Sequence, residues 1–140
     1  MVGVFRRIYL LVNGTAITTF PVYYQNDLAL LRQSLRIVQA GTEVAEVKGK
    51  DLIPAHGLAM SRLLKTSVFP TEALTYEQAI AYLRKEAIVL PPSVPKGYVL
   101  VTYKEIPLGF VKNIGNRANN LYPQGWRIRS GYLPDDIRTL

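Results

Sequence analysis

Short runs of β-forming residues, each ended by a turn or a proline, constrain the fold of this chain more than any other feature. In the last third, residues 98–103 are followed by a Lys104-Glu105 turn and by a second run at residues 106–112. Pro107 lies inside the second run, which places that strand at an edge or at a bulge. With a closing strand at residues 126–129, the spacing predicts a small β-barrel.

The first part of the chain carries two further strand pairs. Residues 6–12 and 15–20 alternate between apolar and polar side chains, and Asn13-Gly14 between them favours a hairpin turn. Residues 43–47 alternate in a similar way and are closed by Lys-Gly-Lys at 48–50. We therefore expect a second short pair of strands there.

Helices are predicted between these strand pairs. A leucine repeat across residues 28–35 indicates one amphipathic helix, capped by Asn26 or Asp27. Pro54 suits the first turn of another helix over roughly residues 55–65.

A third helix precedes a short apolar run. Thr75 and Gln78 have the spacing of a capping box, and the helix that they begin ends near residues 84–85. Residues 88–90, Ile-Val-Leu, are then a candidate buried strand.

The prolines at 91, 92 and 95 make a stiff link and mark the best internal boundary. We predict an α+β protein with a small N-terminal α/β lobe at residues 1–90 and the barrel-forming part at residues 91–140.

The charge balance indicates a polyanionic partner. Lysine and arginine number 17 against 10 acidic residues, so the net charge is +7, and the isoelectric point is about 9.8. Such a balance favours nucleic acid first and an acidic membrane second. We find no amphipathic basic helix, no apolar run near the ~20 residues that cross a bilayer, and no signal peptide. We therefore expect a cytoplasmic protein that does not bind membranes.

The residue inventory argues against catalysis. The chain has no cysteine and a single histidine, His56. Thiolate nucleophiles, cysteine metal sites and multi-histidine metal sites are therefore excluded, and we predict no metal and no cofactor in this chain. His56 has no nucleophile nearby in sequence, so we expect it to form hydrogen bonds between the lobes.

The binding face is predicted in a stretch without acidic residues. Residues 106–134 contain no Asp or Glu and carry four cations among several asparagines. Cations neutralise phosphates, and amides bond to phosphate, ribose or base edges. The candidate RNA-binding residues are Lys112, Asn113, Arg117, Asn120, Arg127 and Arg129.

Plainer explanations exist for parts of this stretch. A basic loop can be a solvated face with no partner. Tyr122 and Trp126 could stack on unpaired bases, but large aromatic side chains are more often part of a core, so we expect both to pack inside. The asparagines could serve only as turn residues.

Several segments, taken in order, resemble one family. They extend from about residue 35 to residue 129 and comprise residues 39–41 (QAG), 53–59 (IPAHGLA), 79–86 (AIAYLRKE), 97–103 (GYVLVTY), 107–112 (PLGFVK) and 119–123 (NNLYP) with Arg127. Together they resemble the C-terminal PUA-like RNA-binding domain of bacterial Sun-family rRNA cytosine-5 methyltransferases, the methyltransferase F type.

The resemblance implies an RNA-positioning role. It implies a PUA-like barrel that holds structured RNA, namely ribosomal RNA, for a catalytic domain. In the family that domain binds S-adenosylmethionine and uses two cysteines, and neither feature occurs in this chain. The chain departs from the family at Ala118 and Gln124, where lysines are common, and at Lys85, where glycine is usual.

Two other readings remain open. The chain could be a protein-interaction module that docks a catalytic domain or a ribosomal protein through its N-terminal lobe, with the hairpin of residues 6–20 as the edge. It could also be a small enzyme using Tyr and Lys chemistry, although no motif points to a reaction. We expect a monomer in each case.

Overall fold

The computed structural model describes residues 8–62 and 64–131, and these form an α+β fold with two four-stranded sheets. The predicted α+β class is therefore confirmed. The first sheet has the order β1-β2-β3-β4 and is antiparallel throughout; its strands are β1 (Ile8–Asn13), β2 (Ala16–Pro21), β3 (Thr42–Lys48) and β4 (Asp51–Pro54).

The second sheet has the order β5-β6-β7-β8, and only the pair β5–β6 is parallel. Its strands are β5 (Thr71–Ala73), β6 (Gly97–Tyr103), β7 (Ile106–Asn113) and β8 (Ala118–Asn120). Both sheets are open within the described residues. The predicted closed barrel is therefore not seen in that part of the chain.

Two glycine turns close the hairpins of the first sheet. Asn13 pairs with Ala16, so the turn residues are Gly14 and Thr15, one position later than predicted. Gly14 has a φ of 62°, a left-handed conformation that glycine adopts without steric cost. Gly49 has the same φ and begins the turn between β3 and β4, so the second predicted strand pair is confirmed.

A bulge interrupts the alternation of β3. Ile17 pairs with Ala45 whereas Thr18 pairs with Glu43, so Val44 is one extra residue on β3. A bulge of this kind shifts the alternation of side chains by one position. It therefore brings Glu43 and Glu46, three residues apart, to the same groove.

The helices are α1 (Gln25–Ser34), α2 (His56–Met60) and α3 (Tyr76–Leu83). The predicted cap of α1 was wrong, because the helix begins two or three residues earlier, after Tyr24, with no side-chain cap. Only Leu28 of its leucine repeat is buried. The helix predicted at 55–65 ends at Met60, where Ser61 has extended backbone.

Helix α3 has well-defined ends. Its capping box is confirmed, since the Thr75 side chain accepts from the Gln78 N–H and the Gln78 side chain accepts from the Thr75 N–H. At its other end Lys85 has a φ of 68°. The N–H groups of Lys85 and Glu86 donate to the carbonyls of Tyr82 and Ala81, the bonding pattern of a Schellman motif.

The main core joins residues from both sides of the proline link. Leu74, Ile88 and Leu90 are buried in one cluster with Val99 and Val111. The division at residue 90 therefore does not coincide with the division between the sheets, which lies between β4 and β5. The strand predicted at 88–90 is reduced to a single bridge from Ile88 to Ala118.

The turn between β6 and β7 was predicted correctly. Lys104 and Glu105 have φ values of 47° and 66°, as a tight turn between twisted strands requires. Val101 pairs with Gly109 and Thr102 with Pro107, so Pro107 adjoins a bulge as expected.

The prediction of a closing strand at residues 126–129 was wrong. Gln124–Trp126 is a 3₁₀ turn, and residues 127–130 have no regular structure. The Ile128 N–H donates to the Leu83 carbonyl at 2.9 Å, so this segment is held by the end of α3 and not by a sheet. No helix in the described part of the chain is long and apolar enough to cross a membrane.

Candidate nucleic-acid interface

Lys112 extends from β7 toward the first sheet. Its Nζ lies 3.2 Å from Oδ2 of Asp51 and 5.4 Å from the centre of the Tyr98 ring. The hydrogen bond and the charge of Asp51, followed by the charge of Tyr98, raise the pKa of Lys112. This predicted RNA-binding cation is therefore already paired with a carboxylate.

Arg117 lies in the tight turn between β7 and β8. Its carbonyl accepts from the Ile114 N–H at 3.0 Å, and its side chain is exposed. The Lys96 side chain lies over Gly115, since a Cβ placed there would be 3.0 Å from the Lys96 Cε. Lys96 thus joins this turn. Sequence reasoning missed it, although its place just before β6 puts it opposite the end of β7.

Asn113 is a structural residue. It is 4% exposed. Its amide nitrogen donates to the carbonyls of Val94 and Pro95, both at 3.1 Å, and its oxygen accepts from the Gly115 N–H at 3.0 Å. These bonds tie the proline link to the β7–β8 turn, which leaves this amide unsuited to contact RNA.

Asn120 is also committed inside the protein. Its amide nitrogen donates to the carbonyls of Tyr82 and Glu86 at 2.7 and 2.8 Å, and its oxygen accepts from the Tyr122 N–H at 2.8 Å. Lys85 completes this arrangement, since its ammonium donates to the carbonyls of Asn120 and Tyr122. Partial burial lowers the pKa of Lys85.

Arg127 and Arg129 form a second basic group beside the end of α3. Both are exposed and line a depression of about 400 Å³ together with Arg84 and Glu86. The Arg84 guanidinium donates to the Ser130 carbonyl at 3.0 Å. Arg84 belongs to this group and was not predicted, because only the packing of residues 127–131 against α3 brings it there.

Trp126 is exposed, in contrast to the prediction that it packs in the core. Its side chain is 66% exposed because the 3₁₀ turn lifts it from the sheet. Tyr122 behaves as predicted and packs against the core. The His56 ring meets both edge-to-face, with centroid distances of 5.2 Å to Tyr122 and 5.2 Å to Trp126.

His56 was predicted to form a hydrogen bond between the lobes, and its Nδ1 does not form one. That atom is buried without a hydrogen-bond partner in the described part of the chain. Burial lowers the pKa of His56, so the neutral ring is favoured. Within the same residues no cluster of three or more histidines and carboxylates could hold a metal ion.

Comparison with known proteins finds similarity in the second half of the chain. Residues 69–128 match the family described as the methyltransferase RsmF PUA domain. The ribosomal RNA small subunit methyltransferase F of Enterobacter sp. (strain 638) is 30% identical to this chain over 114 residues. The alignment covers 81% of this chain and 22% of that relative, so the chain corresponds to about a fifth of the relative's length.

Proposed function

We propose that this chain binds structured ribosomal RNA and positions it for a methyltransferase catalytic domain. The support is its similarity to the RsmF PUA domain family over residues 69–128, and to a ribosomal RNA small subunit methyltransferase F over 114 residues. PUA domains are an RNA-binding type. The chain itself performs no chemistry in this proposal. The choice of ribosomal RNA follows from the Enterobacter relative, which is a ribosomal RNA methyltransferase.

The observation that carries the proposal is a pair of basic groups around the segment that matches the PUA family, in which Lys112 and Arg84 are half-buried and the other cations are exposed. One comprises Lys96, Lys112 and Arg117 at the β7–β8 turn, and the other comprises Arg84, Arg127 and Arg129 beside α3. A cation that contacts a phosphate contributes favourably to the free energy of binding, because counterions condensed on the RNA are released. Asn113 and Asn120 are left out of the proposed contacts, since their amides are satisfied internally.

The charge count predicts the salt dependence. With Lys112 held by Asp51 and the Arg84 guanidinium bonded to the Ser130 carbonyl, four of the six cations remain, so three or four phosphates would be engaged. The logarithm of the association constant should then fall with the logarithm of salt concentration at a slope of about −3. Binding of a fluorescein-labelled rRNA hairpin, followed by anisotropy across a salt series, measures this slope. A flat salt dependence would contradict the proposal.

Charge reversal tests the location. Arg117→Glu and Arg127→Glu should each weaken binding of the hairpin by about tenfold and leave the thermal unfolding midpoint unchanged. Arg36→Glu is the matched control, because Arg36 is exposed near the first sheet, outside both basic groups. Equal losses in all three variants would show that only net charge matters, and the two basic groups would then be rejected.

A second candidate function, docking of a protein domain, is favoured by one observation. The first sheet exposes large apolar side chains along its edge strand and α1, including Leu10 at 63%, Val12 at 71% and Leu30 at 65%. Monomeric proteins rarely expose contiguous apolar patches of large size. The occupant we propose is the methyltransferase domain, because the chain spans only 22% of its relative.

This candidate has its own test. A pull-down of the separately expressed remainder of the Enterobacter relative should survive nuclease and high salt, because apolar contacts need neither RNA nor long-range charge. Val12→Lys should abolish it, and Lys104→Glu, in a turn of the other sheet, should not. Loss of the complex after nuclease alone would reject direct docking.

A further inference from the structure

We propose that the groove between the first sheet and the segment that follows β8 is a pocket for a single unpaired nucleobase that carries an exocyclic amine, stacked on Trp126. This groove has a volume of about 540 Å³, and its lining includes Glu43, Glu46, Lys48, His56, Lys85 and Trp126. The inference rests on the proposed RNA-binding function and names one element of what is bound. Pockets of this size commonly accommodate small ligands.

Trp126 supplies a stacking surface at the rim. Its indole is 66% exposed, although tryptophan is usually well buried. The neighbouring His56 ring lies nearly perpendicular to it, at 88° and 5.2 Å, and one ring can cover at most one face of the indole. His56 is itself braced by Tyr122 at 87°. The indole is thus held in place while a face stays accessible to a base.

The charges of the groove select against phosphate and for a neutral ligand. Glu43 and Glu46 offset Lys48 and Lys85, and the Lys85 ammonium is already bonded to the carbonyls of Asn120 and Tyr122. A phosphate entering here would meet two carboxylates. The phosphates are therefore expected at the exposed arginines, and the base in the groove.

The two carboxylates give the groove its selectivity. Glu46 accepts a hydrogen bond from the Thr15 hydroxyl at 3.4 Å, and Glu43 accepts none from the described residues, so both keep acceptor capacity. A carboxylate accepts from the exocyclic amine of cytosine, whereas the corresponding atom of uracil is a carbonyl oxygen that repels it. Among pyrimidines the groove should therefore prefer cytosine.

The protein carries its own probe for this pocket. Trp126 is the only tryptophan in the chain, so selectively excited tryptophan fluorescence reports on this side chain alone. Titration with single-stranded oligocytidylate should quench it saturably. Oligouridylate should require a concentration at least about fivefold higher, because one base contact of this kind is lost.

Variants separate stacking from selectivity. The double variant Glu43→Gln, Glu46→Gln should keep the quenching and lose the preference for cytosine over uracil, because glutamine both donates and accepts. Glu105→Gln, on the exposed β6–β7 turn, is the control with a similar change and should keep the preference. Trp126→Leu should weaken oligocytidylate binding, measured by anisotropy, by at least about fivefold.

The outcomes distinguish this inference from the proposed function. If the rRNA hairpin binds with its expected salt slope while tryptophan fluorescence is unchanged by every oligonucleotide, the pocket is rejected and the RNA-binding function stands. If oligocytidylate quenches but the hairpin does not bind, the pocket stands and the structured-RNA function is rejected. If cytidylate and uridylate bind equally, the assignment of Glu43 and Glu46 is overturned. If neither RNA binds, both are rejected.

Discussion

The ammonium of Lys112 lies 3.2 Å from the carboxylate of Asp51, and this ion pair joins β7 of the second sheet to β4 of the first. The two residues are 61 positions apart in the chain, and their side chains are 40% and 61% exposed. The charge of Lys112, one of the predicted RNA-binding cations, is therefore partly neutralised by a residue of the other sheet. This relationship determines how the positive charge available on the second sheet can be increased.

Asp51→Asn should strengthen RNA binding. Removing the carboxylate releases Lys112 for a phosphate, so affinity for the rRNA hairpin should rise about threefold and the salt slope should steepen by about 1. Asp27→Asn, an exposed position on α1, removes the same charge away from the site and serves as control. Equal gains in both variants would mean that Lys112 has no specific role.

Asn113→Ala should destabilise the protein and leave RNA contacts intact. The substitution abandons two carbonyls and one N–H in a buried place, a loss of about 2–3 kcal/mol in the free energy of unfolding. Urea unfolding measures it. Asn119→Ala, on the neighbouring strand, is the control and should cost far less. A stable Asn113→Ala protein with weak RNA binding would restore Asn113 to the binding face.

The ammonium of Lys85 should stabilise the folded protein, whereas its left-handed backbone should destabilise it. Lys85→Met keeps the left-handed backbone and loses the bonds to the carbonyls of Asn120 and Tyr122, so it should destabilise by about 1–2 kcal/mol. Lys85→Gly loses the same bonds but relieves the backbone, and should be about 1 kcal/mol more stable than Lys85→Met. The two free energies of unfolding give the comparison, and the reverse order would refute it.

Stability should fall at mildly acidic pH because of His56. Its pKa is lowered by burial in the folded state, whereas the unfolded chain binds a proton near pH 6.5. The unfolded state therefore holds more protons below that pH, and the stability present above pH 6.5 is lost as pH falls through the lower folded pKa. Thermal unfolding of the wild type and of His56→Leu across this range should show a smaller pH dependence in the variant. Identical slopes would exclude His56 as the cause.

The sequence by itself determined much of the local structure. The glycine turns, the capping box of Thr75 and Gln78, and the β6–β7 hairpin follow from backbone preferences that act over a few residues. The net charge indicated a polyanionic partner, and this inference also needs no knowledge of the fold.

Only the tertiary structure decided which polar side chains are available. Asn113 and Asn120 have the residue type of binding groups, but their amides are consumed by carbonyls from α3 and the proline link. Trp126 is exposed, and the residues that follow it are held at the end of α3 by the bond from Ile128 to Leu83, a contact between positions 45 residues apart that no local pattern encodes. The groove beside Trp126 also depends on tertiary structure, since the bulge in β3 and the packing of distant segments bring its carboxylates and its indole together. Local propensities therefore predict the elements, and long-range packing and hydrogen-bond satisfaction select the residues that can meet RNA.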